Sequence, residues 1–266
     1  MQQKKNRNLR EFVQGLGSLG LAAMIAAAAV FAMGGLTLGS GVAGTPGQDP
    51  AQSAGSGDRF DMLVRVDFFS GFAGDAAALE RGMKKCEEAL AKDPKNAEAL
   101  VWHGSGLSYS AKKEFMAGNY EKGREIQARG VAEMNEAVAL HPDDVAVLIP
   151  RASVFLSAAL HVPLPEVARK DFRIAADDYE KVLHLQAAYF SELPIHARGE
   201  LLGGLAEAWN GLGAVEKSRG YQMRMAEELK DSPYARRAEE VLASPSKSGP
   251  LGTTCLGCHV GNASQK

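Results

Sequence analysis

The chain has 266 residues, 45% of them hydrophobic, and its 30 Lys and Arg residues against 32 Asp and Glu residues give a formal net charge of −2. The first 44 residues hold four of the basic residues and one acid, so the remainder carries 26 basic against 31 acidic residues. This excess of acid excludes the basic surface that binding to nucleic acid requires. The odd number of cysteines, three, argues against a disulfide framework.

The N-terminal segment has the features of an export signal. Residues 1–10 carry four basic residues and no acid, and residues 12–48 carry no charge. The apolar centre, Leu19 to Leu36, approaches the ~20 residues needed to cross a bilayer and exceeds the roughly 7–15 typical of a cleaved hydrophobic region. Residues 1–44 are therefore expected to be either a signal peptide or an N-terminal membrane anchor, and their length slightly favours the anchor. Both alternatives place the rest of the chain in the periplasm or at the outer face of the cytoplasmic membrane.

The central part of the chain is predicted to be an all-α domain. Residues 45–57 are rich in Gly, Pro, Ser and Gln, which is typical of a linker. From residue 58 to residue 243, apolar residues recur at intervals of three and four, the period of an amphipathic helix. We expect four helix pairs and a terminal cap helix, at residues 59–93, 97–141, 145–186, 197–230 and Pro233 to Ala243.

A pattern of small, large and small residues recurs in the second helix of three predicted pairs. The copies are Gly82, Cys86 and Ala89 before Pro94, then Gly130, Met134 and Ala137 before Pro142, and a looser third with Ala175, Tyr179 and Val182. This pattern resembles the second helix of a tetratricopeptide repeat (TPR), where a proline ends the unit. The resemblance implies a TPR-like stack of helical hairpins, an α-solenoid, with a concave surface available for binding.

The spacing of the copies departs from the TPR period. Pro94 and Pro142 are 48 residues apart, whereas the repeat period is about 34 residues. The additional residues, around Ala111 to Glu125, are expected either to lengthen one helix pair or to form a projecting loop. Pro163 and Pro165 are expected to break a helix.

The most specific motif of the chain follows a second flexible segment, residues 244–254, and lies in the tail at residues 255–266. It is Cys255-Leu-Gly-Cys258-His259, the C-x-x-C-H spacing at which two thiols bind haem covalently and the adjacent imidazole ligates the iron. A redox dithiol or half of a zinc site remains an alternative. The motif resembles the haem-attachment segment of c-type cytochromes. This resemblance implies one covalent haem c per chain, added after export, with Cys255 and Cys258 as thioether residues and His259 as the proximal iron ligand.

The motif leaves the second axial ligand of such a haem open. The seven residues after His259 contain neither Met nor His, so the ligand is expected to come from the helical domain, from another subunit or from water. His196 and then His161 are the first candidates, because both lie in proline-containing connections near loops, and Met223 is the third. The remaining residues of interest are predicted to have structural roles: His103, Cys86, Met134 and Met225 in the core, His141 and His184 on the surface, and Phe68, Phe69, Phe72, Trp102 and Trp209 in packing.

Two functions from different classes fit these features. The first is an exported monohaem c-type cytochrome whose TPR-like domain is a protein-interaction module and whose tethered haem transfers electrons to or from a protein redox partner. The second is a periplasmic TPR scaffold, or a solute- or peptide-binding protein, without a functional haem. An enzyme that uses the haem for oxidation would need an open iron and a substrate pocket. Catalytic signatures such as G-x-S-x-G and H-E-x-x-H are absent from the sequence.

Overall fold

Residues 59–244 are described by a computed structural model of the protein, and every regular element among them is helical. This confirms the predicted all-α class for the described residues. The segments predicted at 1–44, 45–57 and 255–266 lie outside them, as does the second linker beyond Ser244. In chain order the helices are α1 Phe60–Phe72, α2 Ala76–Lys92, α3 Ala97–Met116, α4 Tyr120–Leu140, α5 Val145–His161, α6 Pro165–Leu185, a 3₁₀ segment Ala187–Glu192, α7 Ile195–Gly211, α8 Val215–Glu228 and α9 Pro233–Ala243.

Consecutive helices pack against each other as hairpins. The pairs are α1 with α2, α3 with α4, α5 with α6, and α7 with α8, and α9 packs on α8. The first helices of successive hairpins also contact each other in chain order, α1 on α3, α3 on α5 and α5 on α7. Such a row of hairpins is compatible with an α-solenoid, in which each unit buries its apolar face against its neighbours. The four predicted helix pairs and the cap helix are therefore present.

Short polar side chains and glycines set the helix ends. In four of these helices the N-cap side chain accepts a hydrogen bond from a backbone N–H of the first turn, the caps being Asp75, Asn96, Asp144 and Ser232. Three of the four hairpin turns contain a glycine with positive φ, namely Gly74, Gly118 and Gly213, with φ of 114°, 84° and 77°. Residues with a Cβ avoid these backbone angles, so the glycines fix where the chain reverses.

The repeated small, large and small residues occupy equivalent places in α2, α4 and α6. The large residues are almost fully buried, with exposures of 0% for Cys86 and Met134 and 6% for Tyr179. The glycines of the first two copies lie where the helix meets its hairpin partner: a Cβ at Gly82 would lie 2.9 Å from the Phe68 ring on α1, and one at Gly130 would lie 2.7 Å from the backbone oxygen of Gly104 on α3. The pattern thus marks the buried face of each of these three helices.

The additional residues of the second pair lengthen its helices. Helices α3 and α4 have 20 and 21 residues, and only Ala117 to Asn119 lie between them. The alternative of a projecting loop is therefore wrong. The predicted break near Pro163 and Pro165 falls between two helices, since α5 ends at His161 and α6 begins at Pro165, where the missing N–H costs no hydrogen bond.

Asp171 on α6 is a half-buried carboxylate, and burial raises its pKa to about 6 against a small opposing effect of Lys170. A carboxyl whose pKa is raised by folding stabilises the fold while it is protonated. That stability is lost as the pH rises from about 4 through about 6. Asp171→Asn is therefore expected to leave the free energy of unfolding unchanged at pH 4 and to raise it at pH 7.5, by about 3 kcal/mol at most. Urea unfolding at both pH values, followed by circular dichroism, measures the difference.

Asp177→Asn supplies the matched control on the same helix. The side chain of Asp177 is 61% exposed and lies 3.9 Å from Arg173 in an i,i+4 pair. Exposed pairs of this kind contribute little, so the control is expected to change stability by less than about 0.5 kcal/mol at either pH. Equal effects of the two substitutions at pH 7.5 would show that Asp171 is solvated in the folded protein.

Candidate functional site

The haem-attachment residues Cys255, Cys258 and His259 lie outside the described residues. The domain that precedes them holds the candidates for the second axial ligand: His196, His161 and Met223. All three side chains are at least partly exposed, Met223 to 44%, and the two imidazoles lie at helix ends. Each of the three side chains therefore lies at the surface of the helical domain.

His196 lies in the first turn of α7 and is held by a residue of α9. Its Nδ1 is 2.7 Å from the hydroxyl oxygen of Tyr234, and the Tyr234 hydroxyl donates to Oε1 of Glu200 at 2.8 Å. Because His196 and Glu200 are four residues apart on one helix, they share a face. Gly199 allows the contact, since a Cβ at this position would overlap the Tyr234 ring. We call this arrangement the His196–Tyr234–Glu200 relay.

The relay fixes the imidazole tautomer of His196. An ionised carboxylate only accepts hydrogen bonds, so the Tyr234 proton is committed to Glu200. The Tyr234 oxygen then accepts from Nδ1 of His196, so Nδ1 carries a proton. Metal-ligating histidines are oriented in this way, by a hydrogen bond from the nitrogen that does not bind the metal.

His161 is the last residue of α5, and its Nδ1 is 2.7 Å from the backbone oxygen of Ser157. A carbonyl only accepts, so this ring also carries its proton on Nδ1. The bond caps a carbonyl at the end of the helix, where a partly positive side chain is favoured. His161 therefore has a local structural role whether or not it binds anything.

Two placements of these histidines differ from the sequence prediction. Both residues were expected in proline-containing connections, yet His196 belongs to α7 and His161 to α5. The reason is that the prolines here begin helices: Pro194 is the N-cap of α7 and Pro165 is the first residue of α6. The same effect places the start of α7 at Ile195, two residues before the predicted start of the last pair.

His103 is buried, as predicted for a core position, with 2% of its surface exposed. Its Nδ1 is 2.5 Å from Oε2 of Glu133 on α4, and its Nε2 is 3.7 Å from Oε1 of Glu87 on α2. Burial would raise the pKa of Glu133, but the hydrogen bonds from His103 and Arg129 outweigh burial and lower it. His103 is therefore a satisfied core residue that joins three helices. His141 and His184 are exposed, as predicted.

Cys86 is fully buried and free, in agreement with its predicted packing role. Burial raises the pKa of its thiol to about 12, and the nearby carboxylates of Glu133 and Glu87 act in the same direction. A thiol that stays protonated is neither a nucleophile nor a metal ligand. Cys86 is therefore inert at neutral pH.

The large aromatic residues pack as expected. Phe68, Phe69 and Phe72 of α1 meet Trp102 and Tyr109 of α3, with ring centroids 5.1–5.9 Å apart. Trp209 of α7 is 8% exposed, and the Lys217 ammonium lies 3.5 Å from its ring centroid. These contacts seal hairpin interfaces.

Neither a metal cluster nor a membrane span is found among residues 59–244. No group of three or more His, Cys, Asp or Glu side chains in this range is arranged to hold a metal ion. None of the helices in the same range has both the length and the apolar character required to cross a bilayer. The predicted anchor, through residues 12–48, lies outside the range.

Sequence analysis missed the role of Tyr234. It lies 38 residues from His196 along the chain, and the only sequence signal for the relay is the spacing of four between His196 and Glu200. Comparison of the chain with known protein families, with curated proteins and with solved structures finds no match.

Proposed function

We propose that the protein is an exported monohaem c-type cytochrome whose helical domain binds a protein partner and whose tethered haem transfers electrons to or from that partner. The observation that carries the proposal is the Cys255-Leu-Gly-Cys258-His259 motif, together with the basic and then apolar composition of residues 1–44, which is typical of an export segment. The motif would supply two thiols for thioether bonds and one imidazole for the iron. The bound haem would supply one-electron redox chemistry.

The helical domain fits an interaction module. Its hairpins, with their buried small and large residues at equivalent places, support a TPR-like stack, and such stacks bind extended segments of other proteins on their concave face. The acidic balance of the chain beyond residue 44 is unsuited to nucleic acid and suits a protein partner with a basic face. The proposed location is the periplasm or the outer face of the cytoplasmic membrane, with residues 1–44 either cleaved or retained as an anchor.

The tether allows the haem to serve such a partner. The composition of residues 244–254 predicts a linker, and a flexible linker of this length would have a root-mean-square span of about 17–20 Å. Such a linker would keep the haem close to a partner bound on the helical domain, at an effective concentration in the millimolar range. A partner held on the helical domain would encounter the haem without a second diffusional search.

The test is covalent haem. The protein is produced in a host with c-type haem maturation, denatured to strip non-covalent haem, and examined by its reduced-minus-oxidised spectrum in alkaline pyridine. We expect one thioether-linked haem per chain. Cys258→Ala should lose the normal two-thioether spectrum and most of the covalent haem.

Cys86→Ala is the matched control, because it also removes a thiol but one that is buried in the core. This variant should retain a full complement of covalent haem. A colourless wild-type protein with normal helical content would contradict the proposal and leave the alternative, a periplasmic scaffold or peptide-binding protein without haem. Haem content that falls equally in both cysteine variants would also count against attachment through the motif.

A further inference from the structure

We propose that helix α1 docks on the surface of an anionic phospholipid bilayer through the apolar side chains that it exposes. These side chains are Met62, Leu63 and Val66, and we call them the α1 stripe. The inference uses the membrane location proposed above, but it does not require the haem.

The first argument is that α1 is apolar on the side that faces solvent. On one side of the helix, Val64 and Phe68 are fully buried. On the opposite side, the members of the α1 stripe are 51%, 51% and 68% exposed, and their spacing of three and four residues places them on one face. A surface helix normally carries polar or charged residues there. An exposed apolar patch therefore indicates contact with a membrane or with another macromolecule.

The second argument is the charge that borders the α1 stripe. Four cations pair with carboxylates of α1, namely Arg59, Arg65, Arg81 and Lys85. The carboxylates, those of Asp61 and Asp67, are only 12% exposed, whereas the four cationic side chains are 43–59% exposed. Lys85 also donates to the backbone oxygen of Leu63, which places its ammonium beside the stripe. The cations thus reach toward solvent while the carboxylates stay beneath them.

The cations lie on both flanks of the stripe. Arg65 and Asp67 are the sequence neighbours of Val66, so they lie on opposite sides of it around the helix. Arg65 occupies one flank, and the Arg81 and Lys85 side chains of α2 reach Asp67 on the other. Positive charge therefore surrounds an apolar centre, which is the arrangement of helices that lie in a membrane interface.

These charges favour an anionic bilayer over a second copy of the chain. In a two-fold dimer the same surface of both copies meets, so contact through α1 would bring the four cations of one copy close to those of the other. A bilayer with anionic headgroups instead attracts all four, and its acyl boundary takes up the apolar side chains. Long cationic side chains suit this boundary, because their stems lie along apolar material while their charges reach the headgroups.

The position of α1 in the chain favours lipid over an acidic protein. Residues 12–48 carry no charge, and residues 45–57 have the composition of a linker. A flexible linker of this length would span about 18–22 Å, so an anchored chain would hold α1 within reach of the bilayer, whereas an acidic protein would have to arrive from solution. With 13 residues, α1 is too short to span a membrane and would lie in its interface.

The test measures the oxidation of Met62 in the full-length protein. The protein is reconstituted with vesicles of phosphatidylcholine, or of phosphatidylcholine with about one third phosphatidylglycerol, and treated with hydrogen peroxide. Mass spectrometry of peptides then gives the rate of sulfoxide formation at each methionine. Met62 should oxidise about tenfold more slowly on the anionic vesicles, and high salt should remove most of this protection. Met116 and Met223, which are 80% and 44% exposed on other hairpins, should oxidise equally on both.

A pair of valine substitutions separates docking from general effects on the protein. Val66→Asp puts a negative charge into the α1 stripe and should abolish the protection of Met62. Val215→Asp is the matched control, because Val215 is also exposed, to 59%, but lies at the start of α8. This variant should protect Met62 as the wild type does. Thermal unfolding followed by circular dichroism shows whether both variants keep the helical domain.

The outcomes distinguish this inference from the proposed function. Equal oxidation of Met62 on the two kinds of vesicle overturns the docking of α1 on anionic lipid, as does protection that survives Val66→Asp. Slow oxidation on both kinds of vesicle that is relieved when the protein is diluted would assign the α1 stripe to a second copy instead. A protein without covalent haem contradicts the cytochrome proposal and leaves this test unaffected, since the stripe and its cations belong to α1 and α2.

Discussion

Replacing Gly104 by valine is expected to lower the free energy of unfolding of the helical domain by about 3 kcal/mol. Gly104 lies where α3 crosses α4, and an added Cβ would be 2.6 Å from the backbone oxygen of Gly130. Because the obstructing atom belongs to the backbone, a rotamer change cannot relieve the overlap, so the two longest neighbouring helices must move apart. Urea unfolding measured by circular dichroism at 222 nm gives the loss of stability.

Gly220→Ala is the matched control, since Gly220 also lies inside a helix, α8. A Cβ at this position would meet nothing within 4 Å, so only the backbone entropy of the unfolded chain changes. The control is expected to gain about 0.5–1 kcal/mol. If Gly104→Val were as stable as the wild type, helices α3 and α4 could not cross at Gly104 and Gly130.

The sequence predicts the helix pairs well because the signals are local. Caps such as Asp75 and Asn96 act within three residues of themselves, and a proline begins or ends a helix where it stands. The repeat of small and large residues also predicts which face of α2, α4 and α6 is buried, because residues three and four positions apart lie on the same face of a helix.

For the additional residues of the second pair, the sequence did not decide between longer helices and a projecting loop. Residues 112–125 are mostly polar, and polar residues suit both an exposed loop and the ends of two helices that extend beyond their neighbours. The structure has longer helices because Gly118 adopts a positive φ, which allows a tight turn directly between α3 and α4. A single glycine in a polar stretch indicates a turn but does not tell how far the helices on either side extend.

The candidate site could be predicted only in part, for the same reason. The haem motif is contiguous in sequence, and His196 stood out as a histidine near a proline. The orientation of the His196 ring depends on its hydrogen bond with Tyr234. That contact depends on how α9 packs, which no local pattern specifies. Long-range partners of this kind become visible only when the helices are placed together.

The buried ion pair between Arg151 and Asp178 leads to the second large effect. Two hydrogen bonds of 2.6 Å and 2.7 Å join the guanidinium on α5 to the carboxylate on α6, and Arg151 also donates to Asn135 on α4 at 3.1 Å. The side chains are only 15% and 6% exposed. Arg151 therefore links the second hairpin to the third while it neutralises a buried charge.

Arg151→Met is expected to lower the free energy of unfolding by about 3–5 kcal/mol at neutral pH, because it leaves the Asp178 carboxylate buried without a partner. Burial already raises the pKa of Asp178, and the Arg151 guanidinium opposes that rise. Without Arg151 the pKa rises further, so the variant loses most stability at high pH and recovers part of it as Asp178 is protonated in acid. Urea unfolding between pH 4 and pH 8 should show a deficit that grows with pH.

Two further variants distinguish a buried unpaired charge from a simple loss of packing. Arg151→Met combined with Asp178→Leu removes both charges and should recover most of the stability, since an apolar pair of similar volume commonly replaces a buried ion pair at little cost. Arg81→Met is the control: it removes an exposed arginine that pairs with Asp67, and Asp67 still has Lys85 as a partner at 2.7 Å. This variant should change the free energy of unfolding by less than about 1 kcal/mol. If the double variant were as unstable as Arg151→Met, the contacts of the Arg151 stem and its bond to Asn135, rather than the charge of Asp178, would hold the two hairpins together.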